Sequence, residues 1–437
     1  MNESNKPKYT HITPKKIANL IEKNQFSFLS GPVSFTSFDD NGKKYYFFGD
    51  EHFDKVGNCE TKYKNVKIPC LTTKDKNSKH QVCYDFVYFL EKLFKNNEYS
   101  GEYLDFYMET PFKRKYMRKT KSDESDYISS IEKVFKNCFE REKSKCKYKK
   151  TRFHYIDFRI KDPKNIASIN YIPVRFVYII KKELEKKDIS KDKLIDKIKF
   201  YDVLTKRLFQ KNINQKLLDA HFKDNFIQTI ENIYKTLTRG LKQRKYKIYL
   251  SRVRKIFNEA KKYYKVREGK KVHIIKSQLD ALRKEGVKHK NQEMGALIEK
   301  FVKQNYQNKI DIESIQQLWR EYIDGLLMKI NSKENKEQKE YNSQIEEFLV
   351  GSAIEMDAHI FDVYLLGRMF RNFKYSKREE HIPSQTIVTY AGNYHIRNYI
   401  SFFIDVLGMK PEVSVGAINS TLKRCVYSPE LKKDFTL

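Results

Sequence analysis

The sequence predicts an α/β fold: a mainly parallel core sheet flanked by helices, with a large Lys-rich helical insertion. Three observations carry that expectation. Between residues 27 and 160, short β-prone runs alternate with helical runs, the order that builds parallel sheets. A further β-prone run, IVTY at 387–390, returns near the other end of the chain. Between them, residues 165–344 are rich in Lys, Glu, Gln and Asn and poor in Pro and Gly. Their apolar residues recur at helical intervals, as at Phe226, Ile230, Ile233 and Leu237. The expected organisation is an N-terminal extension (1–26), the first half of the core (27–164), a helical insertion or cap (165–344) and the second half of the core (345–437).

Each element has its own signal. Residues 1–26 are polar, with a short helix expected at 14–23. Residues 31–40 alternate apolar and polar, and Asp39-Asp40-Asn41-Gly42 is a turn signal, so a hairpin leads into the first core strand. That strand is the aromatic run Tyr45-Tyr46-Phe47-Phe48, which ends at Gly49 and is followed by Asp50, Glu51 and His52. A polar loop fills 55–80. Residues 82–95 have helical periodicity, 103–111 (YLDFYMETP) read as a second strand ending at Glu109, 127–139 as helix and 151–160 (TRFHYIDFRI) as a third strand. Ser332–Lys339 reads as an exposed linker. One long helix is expected over 344–373, with Ile345, Leu349, Ser352, Met356, Ile360, Val363, Gly367 and Phe370 on one packing stripe. The returning strand at 385–391 and a helix at 396–407 follow, and the tail from 414 adds an edge strand or wraps the core.

Composition sets outer bounds. With 437 residues, 40% hydrophobic and 14% aromatic, the chain can bury a large core and is not disordered. The net charge of +31, from 87 Lys+Arg against 56 Asp+Glu, implies attraction to nucleic acid or another polyanion. The abundance of Lys, Asn, Ile, Tyr and Phe is also what an AT-rich genome writes, so the two accounts of the charge stand side by side. None of the six cysteines are spaced CxxC, which argues against a zinc ribbon or redox pair, and reduced thiols are the expectation. The first residues lack the apolar core of a secretory signal, and no apolar run approaches the ~20 residues of a membrane span. A soluble, non-secreted protein is expected.

The chemistry-bearing residues cluster at strand ends. Glycine permits a sharp turn there, and the next residues project from the carboxyl edge of the sheet, where α/β folds bind ligands. His52, after Gly49, and His395, after Gly392, are the two strand-end imidazoles, expected side by side. Glu109 is either a solvent-facing carboxylate or a ligand or base. With Asp50 they form a donor set suited to a divalent metal such as Zn, Mn or Co, which would activate water. Without metal, His52 and Glu109 are a base and its orienting partner. Arg152, His154, Asp157 and Arg159 are either a salt-bridged edge strand or, through Arg159 oriented by Asp157, an anion-holding group. Glu355, His359 and Asp362 fall at i, i+4 and i+7 on the long helix, either as a polar face or as part of the site. The basic-aromatic run at 246–262 (YKIYLSRVRKIFNEAKK) suits either nucleic-acid contact or a Lys-rich helix surface.

At these residues the chain resembles the paired-GxxH superfamily, which includes the TraB and Tiki metalloproteases, ChaN-like haem-binding lipoproteins and erythromycin esterases. The matching positions are Gly49 and His52, Glu109, Gly392 and His395, with Arg159 or Arg368 as the arginine. The resemblance implies a hydrolase-like His/Glu site on an unidentified substrate and covers roughly the first 160 and last 90 residues. The run DVYLLGRMFR at 362–371 followed by YAGNYH is similar to uncharacterised proteins of large DNA viruses, which implies the host cytoplasm or the virion. The alternatives are a basic virion- or nucleic-acid-associated protein without enzymatic activity, and a calcineurin-like metallophosphoesterase. For the latter, Asp50-x-His52 and Gly392-Asn393 match, but the middle GDxxD is missing and Tyr394 separates Asn393 from His395.

Overall fold

The structure is a computed structural model that describes residues 27–51, 58–61, 67–69, 83–111, 127–139, 145–157, 172–185, 189–241, 244–258, 264–267, 270–331, 335–374, 381–415, 422–423 and 425–428. The chain forms two compact units. One comprises residues 1–158 and 371–437, the other 159–370. The expected short helix at 14–23 lies outside the described residues.

The first unit is an α/β structure. Its described strands and helices include β1 (Ser27–Ser30), β2 (Ser34–Asp40), β3 (Lys43–Asp50), β4 (Cys83–Asp85), α1 (Phe86–Ser100), β5 (Leu104–Pro111), α2 (Tyr127–Val134), β6 (Thr151–Asp157), β7 (Thr386–Gly392), α3 (Asn393–Ser401), β8 (Val413–Val415) and β9 (Cys425–Ser428). Six strands make the main sheet in the order β8-β2-β3-β7-β5-β6, and β9-β1-β4 make a smaller one. The β2–β3 hairpin turns through Asn41 (φ 52°) and Gly42 (φ 91°), the left-handed pair that a tight two-residue hairpin requires. From β3 onward the pairings β3–β7, β7–β5 and β5–β6 are parallel, while β8 adds an antiparallel edge.

The last of the parallel strands along the chain lies between the first two. This insertion pairs Gly392 with Asp50 and Ala391 with Gly49. Both sheet faces are covered by aromatic packing. On one, Phe48 meets Phe86 and Phe89 of α1, and Phe94 meets Phe106, Phe135 and Phe153. On the other, Tyr45 and Phe47 meet Phe403, and Phe47 also meets Tyr399 of α3. Alternation along each strand sorts the side chains between these faces.

Among its described residues the second unit is mostly helical, with two short antiparallel hairpins, Tyr264–Arg267 with Lys270–His273 and Lys288–His289 with Gln292–Glu293. Its longest helix, Lys336–Met369, buries every position of the expected stripe from Ile345 to Phe370. The chain's one tryptophan, Trp319, is fully buried and donates from Nε1 to Asp202 at 3.1 Å.

Several expectations need correction. The long helix begins at Lys336, inside the stretch read as linker, because Asn335 caps it by accepting from the Gln338 N–H at 2.8 Å. It groups with the helical unit, so the division falls at 370/371 where the sequence suggested 344/345. Helix α1 starts at Phe86 because the Asp85 carboxylate accepts from the Val87 N–H at 3.0 Å, leaving residues 83–85 as a strand. The helix expected at 396–407 starts at Asn393 and passes into a π-helical turn, Phe402–Val406. The thiols are not reduced: Cys138 and Cys146 are disulfide-bonded with their Cα atoms 4.7 Å apart, Cys83 is also disulfide-bonded, and no described cysteine is free. No described helix is long and apolar enough to cross a membrane.

Candidate functional site

The carboxyl edge of β3, β7 and β5 gathers a buried polar group. Glu109, near the end of β5, accepts from the backbone N–H of Gly392 through Oε2 at 2.7 Å. Gly392 is the residue before α3, so the carboxylate sits where that helix presents the positive end of its dipole. His395, on the first turn of α3, places Nε2 3.6 Å from Glu109 Oε1, and both side chains are buried. The imidazole stacks on Tyr399, one turn further along α3, with ring centres 6.2 Å apart.

A second contact fixes the start of α3. Ser34 Oγ donates to Asn393 Oδ1 at 2.7 Å, tying the first residue of the helix back to β2. This bond passes over Gly49, where an added Cβ would collide with both the Ser34 hydroxyl and the Asn393 amide. Gly49 is therefore required for close approach between the strand end and the helix start.

Asp50 belongs to the opposite face. It follows Tyr46 and Phe48 by alternation onto the α1 side, where its charge acts on Tyr127. Burial, then the carboxylates of Asp85 and Asp50, push the Tyr127 hydroxyl well above its usual range. Ser30 Oγ lies 2.9 Å from that hydroxyl. The edge thus carries an acid–imidazole pair on one face and an Asp–Tyr group on the other. Among the described residues no three His, Cys, Asp or Glu side chains form a group able to hold a metal. The described donors therefore do not complete the expected metal set of Asp50, His52, Glu109 and His395, and no metal step is derived.

The remaining predicted residues fall in several places. His52 and Arg159 lie outside the described residues. Glu51 is exposed. Asp157 is the last residue of β6. Arg152 and His154 are buried at the other end of the sheet. There Asp105 accepts from Arg152 Nε at 2.6 Å and from Nη2 at 2.9 Å, while His154 Nε2 lies 2.7 Å from the same carboxylate. Arg152 Nη1 also donates to the carbonyls of Phe373 and Ile382 at 2.7 and 2.8 Å. Burial pushes the Asp105 carboxyl up, but the His154 and Arg152 charges and hydrogen bonds outweigh it and hold the group well below the carboxylate range. This is an ion-paired edge strand at the amino end. Glu355, His359, Asp362 and Arg368 belong to the helical unit, with Glu355 exposed, His359 and Asp362 buried and Arg368 half-buried over the Tyr364 ring.

Sequence reasoning missed Ser34, Asp85, Asp105 and Tyr127, and weighed Asn393 only for its likeness to a metallophosphoesterase motif. Asp85 falls inside the run read as helix, and an Asp there is a local signal for a later helix start. Comparison with family models, curated proteins and solved structures finds no match for this chain.

Proposed function

We propose that the carboxyl edge of β3, β7 and β5 is the acid–base site of a hydrolase. The observation that carries this reading is the buried Glu109–His395 pair, held at the start of α3 by the Gly392 N–H. A carboxylate on one ring nitrogen fixes the tautomer and orientation of an imidazole, leaving the other to take a proton from water or a nucleophile. The 3.6 Å separation exceeds a formed hydrogen bond, and catalytic contacts are often long before substrate binds. The reading includes His52 on the strength of the sequence pattern alone.

The test is hydrolysis of chromogenic carboxylic-ester, phosphate-ester and peptide substrates by the full chain and two variants. Glu109→Gln keeps an acceptor for Gly392 and removes the charge; His395→Ala removes the base. Each is expected to lower the rate on the responsive substrate by roughly 100-fold or more, with the melting temperature close to that of the parent. Absence of hydrolysis by the parent, or undiminished rates in both variants, contradicts the reading.

A further inference from the structure

The positive charge is concentrated. Residues 241–290 hold 18 Lys and Arg against 4 Asp and Glu, a net +14 of the chain's +31. Residues 311–370 of the same unit hold 6 against 12, a net −6. A mutational bias toward lysine codons acts along the whole gene and does not leave such a reversal.

Among the described residues, many of these charges lie on regular elements. The turn Arg244–Tyr246 and helix Lys247–Asn258 bury Val253, Ile256 and Phe257 and expose Arg244, Lys245, Lys247, Arg252 and Lys255. Next comes the ribbon Tyr264–Arg267/Lys270–His273, in which His273 is buried. By alternation, positions 265, 267, 270 and 272 share the face opposite His273, and three of the four are Lys or Arg. Lys284, Lys288 and Lys290 are exposed beyond it. Arg244, Lys247, Lys255, Lys284, Lys288 and Lys290 pair with no described carboxylate, so their charge is available to a partner. Before the segment along the chain, a cavity of about 260 Å³ is lined by Arg207, Gln210, Ile213, Thr236, Leu237 and Arg239.

We infer that residues 241–290 form a nucleic-acid-binding surface that engages the phosphate backbone. Exposed lysines and arginines on a helix, followed along the chain by a basic two-stranded ribbon, supply cations for a phosphate backbone on elements of the kind that a duplex groove accommodates. The inference is independent of the carboxyl-edge site.

The test measures binding of the full chain to a labelled DNA duplex and an RNA of about 30 nucleotides, between about 50 and 200 mM salt. The variant Arg244→Ala/Lys247→Ala/Lys255→Ala is expected to weaken binding at least tenfold and to reduce the slope of log K against log salt by about 3, roughly one per cation removed. A second variant, Lys284→Ala/Lys288→Ala/Lys290→Asn, is expected to do the same; Asn suits position 290, where φ is 44°. The control Lys95→Ala/Lys133→Ala/Lys339→Ala removes three exposed lysines elsewhere and is expected to weaken binding far less. No binding at the lowest salt, equal effects of control and segment variants, or tighter binding to phosphatidylserine–phosphatidylcholine vesicles than to either nucleic acid overturns the inference.

Discussion

At the residue scale, two buried titratable groups give this protein a specific acid response. Asp105 is ionised in the fold and held there by His154 and Arg152. Its folded pKa lies below the unfolded value, so its contribution is complete above the ordinary carboxylate range and is lost as pH falls through and below it. Arg152→Ala strands that carboxylate without its bidentate partner and is expected to cost about 3–5 kcal/mol, measured by urea unfolding at neutral pH. His273 works through the opposite form. Burial, and then the nearby Lys276 charge, lower it to about 3, so the folded ring stays neutral. Below the ordinary histidine value the unfolded chain binds a proton that the fold refuses, so stability drops from there down to about pH 3. The expected loss between pH 7 and 5 is about 2 kcal/mol. His273→Gln should flatten that part of the profile; an unchanged slope would show that other groups set it. Glu109 and His395 were legible in the sequence because each follows a β-prone run. Asp105 was not, because one Asp inside an apolar strand acquires meaning only through the β5–β6 register that brings Arg152 and His154 beside it.

At the element scale, periodicity was the reliable guide. The stripe along Lys336–Met369 was read position by position, since a buried helix face repeats along the chain without reference to anything distant. Helix starts were displaced wherever a side chain capped the backbone, as Asp85 does for α1 and Asn335 for the long helix. The Cys138–Cys146 bond was misjudged because length argued for thiols while the loop before β6 brings the two residues together. A loop with a separation of 8 gains about 2–3 kcal/mol from closure, so Cys138→Ala/Cys146→Ala is expected to lower stability by that amount, read from melts with and without reductant. A parent insensitive to reductant contradicts this.

At the scale of the whole molecule, the α/β class and the helical insertion followed from composition and the order of elements. Spatial strand order did not, because nothing local in residues 386–392 says that they enter between β3 and β5. That insertion sets Gly392 beside Asp50 and brings Glu109 to the start of α3. Overall charge was legible as a number, and its gathering into residues 241–290 becomes interpretable once Lys247–Asn258 is seen to be a helix and Tyr264–Arg267 with Lys270–His273 a ribbon.

That Glu109 and His395 act as one unit is tested most directly by a double-mutant cycle on the hydrolysis rate, using Glu109→Gln, His395→Ala and their combination. Coupled groups give a double variant no slower than the worse single one. Losses that multiply would show two independent side chains and contradict the account.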